Sequence, residues 1–402
     1  MNYAEALAWL YETQQHGIKL GLDNIHRLLD ALGWHGREQR FVHVAGTNGK
    51  GSVCAMLDAI CRAQGIRTGL FTSPHLVTFR ERIRIDGEMI SQADVAKGLA
   101  KIREFVSDWE THPTFFEITT ALALDHFQHE KVDVVALETG MGGRLDSTNI
   151  VKPVASVITA IDFDHQAWLG DTLREIAGEK AGIIKLHVPV ISVPQHDEAT
   201  EILRQTAEKQ YASIRFVNEP LQKYKIALVG EHQKLNAAVA VAALHESKIE
   251  ISDSAIRTGL KNVAWPGRFQ QINDRVVLDG AHNPSAATRL SATWREIFGD
   301  ERVTVVLGIL KDKDIRAICD ALAPISSGFV ATPVRSQRSS TAEEVCAAIQ
   351  NARCKTAANL ADALKIAQQR AGKILVTGSL FLIGEALAHF GVVRDDPEII
   401  SQ

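Results

Sequence analysis

Apolar positions along this chain follow two periods, one of helix and one of buried strand, and the two alternate. Residues 1–30 carry helical spacing, interrupted by a glycine-containing turn at His16-Gly17-Ile18-Lys19-Leu20-Gly21-Leu22. The run Phe41-Val42-His43-Val44-Ala45 then enters a glycine-rich turn, and a helix-period stretch occupies residues 52–63. Further runs at 132–137, 154–161 and 188–193 are almost continuously apolar. A strand wet on one face would alternate, so these read as parallel strands buried on both faces. Helical stretches lie between them, which predicts βαβ units and a mostly parallel sheet.

A second series starts after Trp265-Pro266-Gly267-Arg268, where the Pro-Gly pair is a strong break. Its predicted strands are 275–278, 303–307, 328–331 and 373–376, with helices at 285–297 and 341–352 between them. The expected fold is α/β in two domains. Residues 1–264 form a P-loop domain with a mostly parallel sheet flanked by helices, and residues 265–402 form a smaller Rossmann-like α/β domain.

Composition narrows the function classes. With 46% hydrophobic and 23% charged residues the chain is ordinary for a globular protein, and a formal net charge of -4 gives no pull toward nucleic acid or an anionic membrane. No run reaches the roughly 20 apolar residues that span a bilayer. The start, Met1-Asn2-Tyr3-Ala4-Glu5, lacks the basic-then-apolar order of a signal peptide, so the cytoplasm is expected. The five cysteines, Cys54, Cys61, Cys319, Cys346 and Cys354, are odd in number and lack a C-x-x-C pair. They are read as small buried apolar residues without a role.

Candidate chemistry gathers at predicted strand ends. Gly46-Thr47-Asn48-Gly49-Lys50-Gly51-Ser52 lies between a strand and a helix, where backbone N–H groups and the helix N-terminus cradle phosphate. Lys50 would reach the outer phosphates and the Ser52 hydroxyl a Mg²⁺ ion. The general P-loop pattern has glycine six residues before the lysine and Ser/Thr directly after it; here those positions hold Val44 and Gly51. Glu138 ends the run 132–137 and leads into Thr139-Gly140-Met141-Gly142-Gly143-Arg144-Leu145-Asp146. Ligands of open α/β sheets bind outside the carboxyl ends of strands, and a carboxylate there suits Mg²⁺. An ordinary salt bridge is the competing account. Ser73, in Thr72-Ser73-Pro74-His75, and His165, in a polar loop after the run 154–161, occupy comparable positions. A Ser-Pro turn and a structural histidine are the plainer readings of those two.

Lys180 gives the sharpest local argument. Asp171-Thr172 reads as a helix start, and Leu173, Ile176, Ala177 and Lys180 then fall on one apolar face, with Glu175 and Glu179 elsewhere. Two accounts fit. A lysine can snorkel its amine to water, or a desolvated lysine can lose its proton and, as a neutral amine, add CO₂ to become a carbamate. In the second half the polar groups are Asn236, the linker residue Arg268, and Asp279-Gly280-Ala281-His282-Asn283-Pro284 after a strand.

Taken together these segments resemble the folylpolyglutamate synthase family, within the Mur-ligase-like superfamily. The matching pieces run through 46–52, 72–75, Phe79-Arg80-Glu81-Arg82-Ile83-Arg84, 138–149, Asp164-His165, Leu169-Gly170 and 179–183. They continue through His232-Gln233 with Asn236, 265–269, 279–284 and Val376-Thr377-Gly378-Ser379-Leu380, in the family's order over most of the chain. The resemblance implies an ATP loop at Thr47, Asn48, Gly49, Lys50, Gly51 and Ser52, with Asn236, Arg268, Asp279 and His282 also on ATP. It implies Mg²⁺ on Ser52, Ser73, Glu138 and His165, supported by a carbamylated Lys180. Leu20, Gly21, Leu22, Phe116, Glu117, Leu145, Asp146 and Ser147 match segments that hold a pterin-bearing substrate. Lys50, Lys180, His165 and Arg268 are the residues expected to act in catalysis.

The reaction so implied adds L-glutamate to a folate. ATP phosphorylates the carboxylate, and the amine of glutamate displaces phosphate from the acyl phosphate. The Trp-containing segment Asp164-His165-Gln166-Ala167-Trp168-Leu169-Gly170 resembles bifunctional bacterial members, which also use dihydropteroate. Two domains suit such chemistry, since their closure would keep water from the acyl phosphate. The expected partners are small molecules only, with no nucleic acid and no membrane, and the expected state is a monomer. Two rivals are a Mur-type cell-wall ligase and an inactive nucleotide-binding module. The first carries an extra N-terminal nucleotide-sugar domain, for which the 45 residues before Gly46 are too few.

Overall fold

A parallel sheet whose strands are buried on both faces must be covered by the helices that connect them, and both halves of this chain solve the problem that way. In the computed structural model all residues are described except 18, 20, 351, 394–397 and 399–402. The chain divides into two compact units. The first comprises Met1–Pro74, Arg80–Ala227 and His232–Ala264; the second comprises His75–Phe79, Leu228–Glu231 and the chain from Trp265 onward.

The first unit holds β1 (Arg40–Ala45), β2 (Thr68–Phe71), β3 (Ile83–Ile85), β4 (Glu88–Met89), β5 (Val134–Glu138), β6 (Ala155–Ile158), β7 (Val190–Ser192) and β8 (Ile214–Phe216). Their order is β4-β3-β2-β5-β1-β6-β7-β8. All neighbours are parallel except the β2–β3 and β3–β4 pairs. The register sets Val44 beside Glu138 and Ala45 beside Ile158, so the chain leaves β1, β5 and β6 at one level. Its helices are α1 (Tyr3–Glu12), α2 (Asp23–Leu32), α3 (Lys50–Ala63), α4 (Gln92–Val106), α5 (Phe115–His129), α6 (Gln166–Leu169), α7 (Leu173–Ala181), α8 (Asp197–Lys209), α9 (Glu231–Glu246) and α10 (Asp253–Asn262). On α7, Ile176, Ala177 and Ala181 pack with Leu203 of α8 onto Ala45, Ile158 and Val190. Gly259 lets α10 approach the backbone of α3, because a Cβ there would stand 2.6 Å from the Ile60 Cα.

The second unit holds β9 (Gln270–Gln271), β10 (Val276–Leu278), β11 (Val303–Leu307), β12 (Ser326–Ala331), β13 (Cys354–Thr356) and β14 (Ile374–Thr377), in the order β13-β12-β11-β14-β10-β9. Only β9 runs antiparallel. Val277, Val305 and Phe329 face α11 (Pro284–Phe298), α12 (Ile315–Leu322) and α13 (Ala342–Ala348), while Leu278, Val306 and Val330 face α14 (Leu360–Gln368) and α15 (Leu380–His389). The strands therefore read as continuous apolar runs because each residue meets a helix whichever way it points. Among the described residues no helix is long and apolar enough to cross a membrane.

The cysteines need one correction. Cys54, Cys61 and Cys319 are free and buried, but Cys346 and Cys354 are joined in a disulfide with their Cα atoms 5.6 Å apart. Helical spacing predicts a helix over 341–352, yet α13 stops at Ala348. The chain then turns into the edge strand β13 and brings the two side chains together.

Candidate active site at the strand ends of the first unit

The loop after β1 owes its shape to two glycines. Gly46 sits at φ +151, where a Cβ would lie 1.9 Å from the Thr159 hydroxyl, and Gly49 sits at φ +97 against the Asn236 amide. Thr47 and Asn48 donate their N–H groups to the Ala160 carbonyl, and the Thr47 hydroxyl donates to the carbonyl of Asp162. These bonds pin the loop to the chain leaving β6. Helix α3 then starts at Lys50 with Gly49 as its N-cap residue and no side chain capping it.

Two lysines converge here. Lys50 Nζ donates to the Gly46 carbonyl at 3.1 Å, and Lys180 Nζ donates to the same oxygen at 3.0 Å. Lys180 is 3% exposed. Burial first, and then the neighbouring Lys50 cation, lower its pKa to about 7. The apolar-face reading of Lys180 therefore holds, while Glu175 completes a capping box with Thr172 and Glu179 pairs with Arg144 at 2.7 Å.

Glu138, the last residue of β5, is buried, and its Oε2 accepts the Ser73 N–H at 3.0 Å. Ser52 is also buried; its hydroxyl accepts from the Gln233 amide at 3.3 Å, whose own oxygen accepts from Asn236 at 3.0 Å. Gln233 thus connects Ser52 to Asn236. The sequence singled Gln233 out only as part of the family-matching piece His232-Gln233 with Asn236, without a role of its own. His165 stands at φ +53 ahead of α6 with an exposed side chain, its Nε2 4.0 Å from Asp164 Oδ1.

The donor set has the character of a site for a hard divalent cation that shares its shell with phosphate. Hydroxyl and carboxylate oxygens dominate, and Mg²⁺ takes one or two carboxylates plus substrate oxygens rather than a full protein cage. Among the described residues no three His, Cys, Asp or Glu side chains could hold an ion by themselves.

The loop 139–149 lies beside this site. Gly143 and Gly182 let it approach α7, since their Cβ atoms would fall 2.9 Å from the Glu179 carbonyl and 2.3 Å from the Arg144 Cα. Asn149 donates to the carbonyls of Arg144 and Gly182. Phe116 covers Gly140, where a Cβ would meet its ring at 2.5 Å. Asp146 and Ser147 are buried and Leu145 partly so. Glu117 is buried too, and its carboxylate accepts from the N–H and hydroxyl of Thr114, closing the capping box of α5. Gly21 stands at φ +143 and Leu22 precedes α2, whereas Leu20 lies outside the described residues.

In the second unit Asp279 follows β10. Its two oxygens accept the N–H groups of Phe269 and Ala281 at 2.8 and 2.9 Å. Burial raises its pKa, and the Arg268 cation opposes the rise. His282 Nδ1 lies 2.8 Å from the Gly280 carbonyl.

A glycine-rich loop over a buried lysine, at the head of a parallel sheet, with a second α/β unit in the same chain, defines a Mur-type ligase. Residues 44–219 match the family model of the Mur ligase middle domain, and residues 267–380 match that of the Mur ligase glutamate ligase domain. The Bacillus subtilis dihydrofolate synthase/folylpolyglutamate synthase is 34% identical over 95% of this chain and 98% of its own length. E. coli FolC, solved in complex with DHPP and ADP, superposes with a TM-score of 0.90 at 32% identity, covering 98% of this chain and 99% of that one. The Yersinia pestis bifunctional folylpolyglutamate synthase/dihydrofolate synthase, solved with AMPPNP and a Mn ion, gives a TM-score of 0.89 at 30% identity over 97% and 98% of the two chains. This chain belongs to the dihydrofolate synthase/folylpolyglutamate synthase family.

Proposed function

We propose that the chain is an ATP-dependent ligase that joins L-glutamate to a folate and to dihydropteroate, acting as a monomer in the cytoplasm. The observation that carries this reading is the convergence of Lys50 and Lys180 on the Gly46 carbonyl beside Glu138. That arrangement sets the Lys50 cation and a carboxylate where the three strands end, which suits transfer of a phosphoryl group. The γ-phosphate of ATP passes to the substrate carboxylate, ADP leaves, and the glutamate amine attacks the acyl phosphate carbon. Phosphate departs, the amine loses a proton, and an amide remains.

Each residue has a part. Gly49, Lys50, Gly51 and Ser52 hold the phosphates through backbone N–H groups and the Lys50 amine, which neutralises charge building on phosphoryl oxygens, while Thr47 and Asn48, whose N–H groups bond the Ala160 carbonyl, hold the loop in shape around them. Asn236, and in the second unit Arg268, Asp279 and His282, are assigned to ATP. Ser52, Ser73, Glu138 and His165 would hold Mg²⁺, which supplies Lewis-acid stabilisation of the transferred group when bound. Lys180, with a pKa near neutrality, reacts as the free amine with CO₂ and releases a proton to give an anionic carbamate suited to a hard cation. Gly21, Leu22, Phe116, Glu117, Leu145, Asp146 and Ser147, together with Leu20, are assigned to the pterin-bearing substrate.

The reading is tested by incubating the pure protein with ATP, glutamate and either dihydropteroate or a reduced folate, and weighing the products. A glutamyl adduct with each acid, matched by ADP, is expected. ATP turnover without dependence on acid and glutamate would make the chain an inactive nucleotide-binding module, and turnover only with a cell-wall precursor would make it a Mur-type amino-acid ligase.

A further inference from the structure

We propose that His43 is a positioning residue for the folate substrate, orienting the Asp146 carboxylate through the hydroxyl of Thr148. The proposal rests on the assignment of Asp146 to the substrate. His43 stands in the middle of β1 with its side chain fully buried, the one polar residue in the run Phe41-Val42-His43-Val44-Ala45. Its Nε2 lies 2.8 Å from Thr148 Oγ1, and that hydroxyl lies 2.5 Å from Asp146 Oδ1.

Counting hydrogens fixes the direction of the chain. Two bare oxygens cannot sit 2.5 Å apart, so a hydrogen lies between them, as in a charge-assisted O–H···O⁻ bond. Burial raises the Asp146 pKa, and hydrogen bonds from Thr148, Met141 and Gly140 to its oxygens oppose the rise; with that carboxylate as the acceptor, the one hydroxyl hydrogen of Thr148 goes to it. Toward His43 the same oxygen can then only accept, so His43 must donate from Nε2. Burial, and secondarily the Lys185 cation, lower the His43 pKa to about 3, so the ring is neutral and Nδ1 carries no hydrogen. Nδ1 is buried without a partner, as this tautomer requires of a nitrogen facing apolar surroundings.

A buried acceptor left bare is costly, and a leucine at position 43 would avoid the cost. What the histidine supplies is a donor aimed at the loop after β5. Asp146 gains from it a fixed orientation: Oδ1 also accepts the Thr148 N–H at 3.0 Å, and Oδ2 accepts the Met141 N–H at 2.8 Å. The backbone N–H groups of Met141, Thr148 and Gly140 hold the carboxylate within the loop, and the Thr148 hydroxyl, tied to the sheet through His43, adds a fourth donor that fixes the loop's carboxylate against β1. The rest of the loop is held separately by Asn149 on Arg144 and Gly182.

Steady-state kinetics with ATP, glutamate and a reduced folate test the chain, together with nitrogen NMR of histidine-labelled native protein. His43→Leu and Thr148→Val should each raise KM for the folate on the order of tenfold, the size of one hydrogen bond to a charged group. KM for ATP should stay within about twofold, and the double variant should be no worse than either single one. His43→Gln, whose amide nitrogen overlies Nε2, should recover most of the folate KM. The His43 resonances, assigned by their loss in His43→Gln, should show Nε2 protonated and Nδ1 bare. A hydrogen on Nδ1, or equal loss of folate and ATP affinity without rescue by Gln, overturns the proposal. Asp146→Ala separates it from its foundation: if that variant keeps the wild-type folate KM, the assignment of Asp146 to substrate fails, whereas a raised KM there with an unaffected His43→Leu sinks the positioning role alone.

Discussion

Two helices in this chain follow a parallel strand through a glycine-containing turn, and they begin in opposite ways. After β1, α3 starts at a left-handed Gly49 with no side-chain cap. After β10, α11 starts at Asn283, whose side chain accepts the Ala286 N–H at 2.8 Å, with Pro284 contributing no N–H in the first turn. The charges differ as well: Lys50 and Lys180 gather at the first strand end, and the buried Asp279 at the second. An uncapped helix end beside the Lys50 cation keeps its N–H groups and dipole for an anion. A capped end beside a carboxylate has used those groups for itself. On the assignment proposed above, one unit receives phosphate at its helix and the other does not.

The contrast breaks most visibly at Lys50. Lys50→Ala should lower ligation by about a hundredfold to a thousandfold, as loss of one preorganised charge does at a phosphoryl or acyl centre. ADP release in the presence of folate and glutamate measures it. A drop of less than about tenfold would remove the electrostatic half of the comparison.

Lys180 comes next. Lys180→Ala should be nearly inactive and partly restored by short carboxylates such as acetate, whereas Lys180→Arg, which keeps a cation, should remain inactive. A plain ion-pair role predicts the reverse on both counts. Intact-protein mass spectrometry under bicarbonate should show one added CO₂ on the wild type and none on either variant. A density map with an unmodified amine beside bound metal and nucleotide would refute the carbamate.

Acid should separate the two units by stability. His43 titrates near 6.5 in an unfolded chain but at about 3 when folded, because burial disfavours its cation. The stability it permits is thus complete above the unfolded value and is lost as pH falls from there toward 3, at about 1.4 kcal/mol per pH unit. Asp279 acts oppositely: its pKa is raised by burial, so its folded form holds the proton more tightly, and acid relieves its desolvation. Between neutrality and pH of roughly 4, β1 should open before β10 in hydrogen exchange corrected for intrinsic rates. In His43→Gln the acid dependence of β1 should flatten. Equal opening of both strands in the wild type would count against the assigned burial.

How much of this was legible follows from what sequence can encode. Strands 132–137, 154–161 and 303–307 were visible because burial on both faces leaves a run of Val, Ile and Leu, and the observed β5, β6 and β11 lie within or beside them. Strands β3, β4, β8 and β13 were not singled out; they are short edge or hairpin strands, whose two or three residues carry no period. At the site, Lys180 could be placed on the apolar face by counting along one helix. The roles of Gln233 and Thr148 could not, since each matters through a partner far away in sequence: Ser52 for one, His43 for the other. Glu117 shows a signal with two meanings. Thr114 three residues before it spells a capping box, which its side chain in fact closes.

The smallest expected effect bears on the helix ends themselves. Asn283 is buried, so replacing it with Ala removes an acceptor from the α11 N-terminus and strands the Ala286 N–H where water reaches poorly. The cost should be about 1 kcal/mol in urea-induced unfolding of the second unit. Asn283→Asp keeps the acceptor and adds a charge that the helix dipole favours, so it should lose less than the Ala variant at neutral pH. Neither change should create phosphate-dependent stability in that unit, because the turn before it carries the carboxyl of Asp279 where the loop after β1 leads into Lys50. In the wild type, by contrast, inorganic phosphate should raise the unfolding midpoint of the first unit, where α3 offers uncapped N–H groups beside Lys50. If Asn283→Ala instead made the second unit respond to phosphate as strongly as the first, a missing cap alone would suffice to make an anion site. The Lys50 cation at the head of β1 would then not be what distinguishes the two units.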